Sequence, residues 1–218
     1  MRIRAYLLDG RIAGTEAYFP LDSILAAEWI RRHHPGEFYN PPPPGMETGW
    51  IEAELPLERR GQGNDWYWAS SFNQSAPKGE YITYWNRRFD DQFEQYIDLR
   101  GKRGKISVSS GRYKAYRSPL NILLFDFLEW YTVGDINAIN ELCSGIVAIG
   151  KKPAQGYGLI ERWEIVPWPE DWSETGPGGK VMRALVQLPP KVNGTMRLYG
   201  IRPPYWAKKN QRVVYMPC

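Results

Sequence analysis

Gly150-Lys151-Lys152-Pro153-Ala154-Gln155-Gly156-Tyr157-Gly158 separates two stretches of different periodicity, and the fold is read outward from this boundary. On its N-terminal side Asp135 is placed to cap a helix, and Ile136, Ile139, Leu142, Ile146 and Ile149 recur at helical spacing, which predicts a helix running to residue 149. On its C-terminal side residues 159–166 have the make-up of a strand. Three glycines in nine residues permit backbone conformations and close approaches that a Cβ would block, and the two lysines beside them suit a phosphodiester backbone. The loop is not a nucleoside-triphosphate loop, because Lys and Ser/Thr do not follow its last glycine and because it comes after a helix rather than before one. Taken alone, a glycine-rich turn of this kind is equally a plain helix-to-strand connection.

Towards the N-terminus, residues 2–8 alternate basic and apolar before Asp9-Gly10, the pattern of a half-buried strand ending in a turn. Leu21-Asp22-Ser23 offers an N-cap, and Ile24, Leu25, Glu28, Trp29 and Ile30 predict a first helix ending in Arg31-Arg32-His33-His34 before Pro35. The tract Asn40-Pro41-Pro42-Pro43-Pro44-Gly45 reads as an extended linker into a strand over residues 50–55. Residues 66–70 and 81–85 look like two further strands, and residues 90–99 like a short helix with Phe93, Tyr96 and Ile97 on one side. Gly101, Gly104 and Gly111 flank a strand-like 105–108 and predict a hairpin or finger rather than packed core. The order of strand, helix, strands, helix, strand predicts an α+β chain, specifically a ferredoxin-like sandwich with a long insertion, and a tail from residue 181 that adds strands. The predicted core is 1–85 with 118–168, the inserted basic thumb is 86–117, and the basic C-terminal extension is 169–218.

Charge is distributed unevenly along this chain. Residues 100–125 hold seven bases and no acid, residues 175–218 hold eight bases and no acid, and all 24 acids fall elsewhere, so the formal net charge of +4 hides a strong segregation of sign. Such segregation predicts a surface that neutralises closely spaced phosphates; the competing reading is that folding disperses these bases over solvated faces. Ten Trp and fourteen Tyr exceed what a core of this size requires, and stacking on bases is one use for the surplus. No apolar run approaches the roughly 20 residues of a membrane span, and Met1-Arg2-Ile3-Arg4-Ala5-Tyr6 lacks the apolar segment of a secretory signal, so the expectation is a soluble, intracellular protein without membrane contact. Cys143 and Cys218 give neither disulfide spacing nor a zinc motif. No cofactor and no metal is expected, since pairs such as Glu52/Glu54 and Asp90/Asp91 are more often solvent-exposed than metal-binding.

A helix followed by Gly-x5-Gly-aromatic-Gly and a strand is similar to the glycine-rich loop of the RAMP proteins of CRISPR systems, which are built on RRM-like ferredoxin folds. Together with Ser110-Gly111-Arg112-Tyr113-Lys114-Ala115-Tyr116-Arg117-Ser118-Pro119-Leu120, this stretch resembles the type IV branch and, within it, the Cas-five-like subunit. The resemblance covers about residues 100–166, and the N-terminal strand and helix agree in architecture. It implies a non-catalytic role in the cytoplasm of a prokaryote. The subunit would grip the repeat-derived 5′ handle of the guide RNA (crRNA), bend it with an inserted thumb, and touch the backbone and large subunits of the complex. Target DNA, through recognition of a protospacer-adjacent motif, is a further partner that the resemblance implies. The long acid-free tail departs from many relatives.

Lys102, Arg103, Lys105, Arg112, Lys114 and Arg117 are the candidates for phosphate contacts, with Tyr113 and Tyr116 for stacking on unpaired bases. If this segment is a strand, Arg112, Lys114 and Tyr116 share one face, and Tyr113 and Arg117 share the other. From the glycine loop, Gly150, Lys151, Lys152, Gln155, Gly156, Tyr157 and Gly158 join the set. Arg202, Lys208, Lys209 and Arg212, flanking Pro203-Pro204-Tyr205-Trp206, are expected to form a secondary basic surface, either a second nucleic-acid contact or a docking surface for an acidic partner. Losing one phosphate-contacting lysine, as in Lys114→Ala, should lower the salt slope of RNA binding by about one unit. The alternative within the same superfamily is a metal-independent, guide-processing endoribonuclease, for which His33 or His34 would serve as general base. Against it stands the simpler reading of two exposed residues favoured by the dipole at a helix C-terminus.

Overall fold

The structure is a computed structural model, and it describes residues 1–14, 16–39, 51–90, 92, 96–97, 106–189, 192 and 194–217. The chain is α+β. Strand β1 (Arg2–Leu7) places Ile3, Ala5 and Leu7 in the core, as its alternation predicts, and pairs antiparallel with β7 (Phe127–Tyr131) on one side and β8 (Ile160–Val166) on the other. Helices α1 (Leu21–His33) and α3 (Ile136–Ser144) cover the apolar face of this sheet, so that Leu21, Leu25, Ala26, Ile139, Leu142 and Cys143 pack with Ile3, Ala5, Leu128 and Trp130 in one cluster. Burying each of the larger aliphatics contributes roughly 1.5–3 kcal/mol. The other face carries Arg2 and Arg4, which are ion-paired with Glu129 and Glu164 at 2.6–4.0 Å, and Arg162 stacked on Tyr6 at 3.5 Å. Residues 69–74 run beside β7: Val133 N–H donates to the Ala69 carbonyl, Ser71 N–H to Tyr131, and Gln74 N–H to Glu129.

A second antiparallel sheet joins β2 (Arg11–Ala13), β6 (Tyr116–Leu124) and β5 (Gly79–Arg87). Its two long strands form a ribbon of nine paired residues from Gly79↔Leu124 to Arg87↔Tyr116. Two short strands, β3 (Arg59–Arg60) and β4 (Tyr67–Trp68), form a third sheet, and β9 (Thr195–Gly200) with β10 (Gln211–Met216) forms a C-terminal hairpin. One side of the hairpin packs Val214 and Met216 against Phe72, Ala184 and Ile201, with Tyr18, Tyr199 and Tyr205 around them. A five-residue helix, α2 (Pro35–Tyr39), follows α1. Among the described residues no helix is long and apolar enough to cross a membrane.

Several local expectations need correction. Asp135 does cap α3, accepting from Asn137 and Ala138 N–H at 2.9 Å, but the helix stops at Ser144 rather than near residue 149. The reason lies in α1: Arg32 donates to the Glu141 carbonyl at 2.7 Å, and a Cβ at Gly145 would run first into the Glu28 carboxylate and then into the Arg32 guanidinium that it holds. The first helix begins on Pro20 without a side-chain cap, because Asp22 is buried and takes the Tyr205 hydroxyl on both oxygens, at 2.8 and 2.9 Å. Residues 51–55 join no ladder, residues 66–70 reduce to the two-residue β4, and residues 106–108 form no strand. The 90–99 helix expectation falls mostly outside the described residues.

The tail corrects the charge reading most sharply. Arg183 is fully buried and donates to the carbonyls of Trp68, Ser70, Ala184 and Ile201, 4.0 Å from Asp22. Arg202 is only 6% exposed, donates to the carbonyls of Asn64 and Trp66, and stacks on Trp66, so it forms no part of a basic surface. Arg197 pairs with Glu16 at 2.9 Å and Arg212 with Asp65 at 2.6 Å. Four of the eight tail bases, Arg183, Arg197, Arg202 and Arg212, are therefore taken up by acids and carbonyls of the chain itself.

Candidate nucleic-acid interface

Strand alternation assigns the β2-β6-β5 sheet two faces. On one lie Arg11, Tyr81, Thr83, Trp85 and Arg87 with Tyr116, Ser118 and Leu120; on the other lie Ile82, Tyr84 and Asn86 with Arg117 and Pro119. The glycine-rich loop is bonded to the free edge of β2. Lys151 N–H donates to the Ala13 carbonyl at 2.9 Å, Gly158 N–H to Arg11 at 2.7 Å, and Ile149 N–H back to Gly158 at 2.9 Å. Positive φ at Gly150, Gly156 and Gly158, and at Lys152, makes this path possible. At Gly150 a Cβ would meet the Ala13 carbonyl oxygen at 2.8 Å, and at Gly158 it would overlap that of Ile149. Gly156 has open space in front of it.

From this loop Lys152 reaches across to the ribbon, its ammonium 4.1 Å from the centre of the Trp85 ring. The Trp85 indole N–H in turn donates to the Tyr116 hydroxyl at 3.0 Å. Arg11 lies 5.4 Å from the Tyr157 ring, and hydrogen bonds to Asp9 and Tyr81 raise the pKa of its guanidinium. Lys152, Tyr116 and Tyr157, distant in sequence, are thus assembled on one face with Trp85, Arg11 and Arg87.

The remaining predicted residues are dispersed. Arg117 lies on the opposite face, stacked at 3.7 Å on Tyr84, which is 47% exposed. Arg112 and Tyr113 belong to a 3-10 turn, Gly111–Tyr113, not to a strand; the Arg112 carbonyl accepts from Arg87 at 2.6 Å, and Tyr113 packs edge-on against Phe89 at 5.2 Å. Lys114, Lys151 and Gln155 are exposed, and Lys102, Arg103 and Lys105 lie outside the described residues. Asn86, Arg87, Arg88, Ala115, Tyr116 and Arg117 enclose an open groove of about 580 Å³ at the far end of the ribbon. In the tail Lys208 and Lys209 are exposed in a turn before β10. His33 stacks on Trp29 at 4.4 Å with Nδ1 2.8 Å from the Trp29 carbonyl, and His34 lies 5.5 Å from the same ring.

Sequence reasoning missed Trp85, Tyr84, Tyr81, Arg87 and Arg11. The signal was present: Tyr81-Ile82-Thr83-Tyr84-Trp85 sets large side chains at consecutive strand positions, so both faces are apolar or aromatic and a single core cannot bury both.

Residues 2–217 match the family model described as CRISPR type IV associated protein Csf3. No curated protein matches the chain.

Proposed function

Since the chain belongs to the family of CRISPR type IV associated protein Csf3, the Cas-five-like subunits of type IV complexes, we propose that it grips the 5′ handle of the guide RNA without cutting it. In this reading it also contributes to recognition of a protospacer-adjacent motif on target DNA. The observation that carries the proposal is the Lys152–Trp85–Tyr116 bridge, which unites a glycine-rich loop with an aromatic, cationic ribbon. Cations supply affinity for phosphates, and Trp85, Tyr116 and Tyr157 supply ring faces and edges for unpaired bases. The fold reading that accompanies it is ferredoxin-like, of the RAMP kind. Its support is that β1 lies between β7 and β8, with residues 69–74 beside β7 and two helices on one face, as a βαββαβ order requires. The far tip of the ribbon and the residues beyond it, 86–117, take the part of the thumb, and the hairpin β9–β10 belongs to the C-terminal extension.

Fluorescence anisotropy with a labelled repeat RNA, titrated across salt concentrations, tests the reading. Lys152→Ala should lower the salt slope by about one unit, and Trp85→Ala should weaken binding by roughly 1–3 kcal/mol. Unchanged slope and affinity in both variants would refute the site. Incubating the protein with the same RNA in EDTA addresses cleavage: the RNA should stay intact, and discrete products abolished by His33→Ala or His34→Ala would establish the endoribonuclease instead.

A further inference from the structure

The C-terminal hairpin has one face that the described residues leave open. Arg197 and Arg212 lie on the side of β9 and β10 that also carries Val214 and Met216, and each is already paired with a carboxylate. Alternation puts Met196, Leu198, Gly200, Gln211, Val213 and Tyr215 on the other side, which holds no charged residue at all. Leu198 and Val213 stand directly opposite one another in register, and Met196 follows two residues along the same strand. These three side chains are 63, 63 and 66% exposed, and they form a contiguous apolar stripe. Among the described residues β9 has a strand partner on one side only. Single exposed hydrophobics need no explanation, but a cross-strand stripe beside an open strand edge does.

We propose that this face docks a neighbouring protein subunit of the type IV complex, one whose patch is apolar at its centre and carries carboxylates at its rim. Membership of a complex-forming family supplies the partner, so the proposal does not rest on the RNA-binding reading. Nucleic acid is disfavoured at the centre of this face because Met196, Leu198 and Val213 offer neither a cation to a phosphate nor a ring to a base. A second copy of this chain is disfavoured by charge. The rim at the Gly200↔Gln211 end carries Lys208 and Lys209, both exposed, residues 175–218 contain no acid, and Glu16 and Asp65 are already paired. Two copies would set bases against bases, whereas a foreign rim of carboxylates would complement them. An apolar centre with Met and a polar rim is also the usual composition of a protein interface.

The test uses the complex reconstituted from this chain, the other protein subunits and guide RNA. A photo-crosslinking amino acid at position 198 should capture one defined protein subunit on irradiation. Leu198→Glu should lower incorporation into the complex by about tenfold or more, while leaving the chain's melting temperature and its affinity for repeat RNA as in wild type. Crosslinking to RNA, to a second copy or to nothing would overturn the proposal, as would wild-type incorporation of Leu198→Glu. If Leu198→Glu fails to fold, Val213→Thr and the crosslink decide the question on the same criteria. Loss of RNA affinity in Lys152→Ala with this docking intact would separate the two sites.

Discussion

Substituting Gly158 by alanine asks whether the glycine-rich loop is a built part of the sheet or a passive connection. Gly158 has φ +68°, where an L-residue costs roughly 1–2 kcal/mol. Its new methyl would overlap the Ile149 carbonyl oxygen and stand 2.9 Å from the carbonyl carbon. Relief requires separating two backbone segments that are joined by Ile149 N–H to Gly158 at 2.9 Å and anchored by Gly158 N–H to Arg11 at 2.7 Å. Each of those bonds contributes about 1 kcal/mol, so the total loss is about 3–4 kcal/mol. For a chain of this size 1 kcal/mol moves Tm by about 2–4 °C, which places the variant roughly 10 °C below wild type. Gly156→Ala is the control: φ is +85° but nothing lies within 4 Å of the added Cβ, leaving only the backbone cost of roughly 1–2 kcal/mol. Thermal unfolding followed by circular dichroism reads both. Equal melting of the two variants, or a Gly158→Ala protein that melts with wild type, would refute the argument that the loop is welded to β2.

Two further predictions concern the buried junction between α1 and the tail. Burial raises the Asp22 carboxyl from 3.8 to about 6, against the opposing pull of Arg183 and the Tyr205 hydroxyl. The native chain therefore holds this proton more tightly than the unfolded one, so the contribution of Asp22 to stability grows as pH falls from about 6 towards 4 and is least above 6, by up to roughly 3 kcal/mol. Asp22→Asn should remove that part of the pH profile, measured as the difference in urea midpoint between pH 5 and pH 7; an unaltered difference would count against it. Arg183→Met leaves the Trp68, Ser70 and Ile201 carbonyls without their donor and Asp22 without its cation, at a cost of about 3–5 kcal/mol, and urea unfolding at wild-type midpoint would contradict this.

What the sequence disclosed was what local chemistry decides. The alternation of residues 2–8, the Asp135 cap and the three glycines each encode their own conformation, and β1, the start of α3 and the loop after it appear where expected. Features governed by distant partners were hidden. Nothing near Arg183 or Arg202 announces that their donors meet carbonyls more than a hundred residues earlier, so two bases of a run that reads as surface instead became core. The end of α3 depends on Arg32, and the assembly of Lys152 with Trp85 depends on how a loop edge meets a ribbon. Residues 51–55 have a strand-like composition but found no ladder to join, which periodicity cannot foresee.

Three residues, Arg11, Ile12 and Ala13, hold the ribbon along one edge and the glycine loop along the other. Such a fulcrum transmits leverage. Nine ladder positions make an arm of roughly 30 Å, so a tug at its far tip arrives at the fulcrum as torque and tilts the loop with it. Conversely, whatever immobilises the loop stiffens the arm, and the two ends of the ribbon share one mechanical fate.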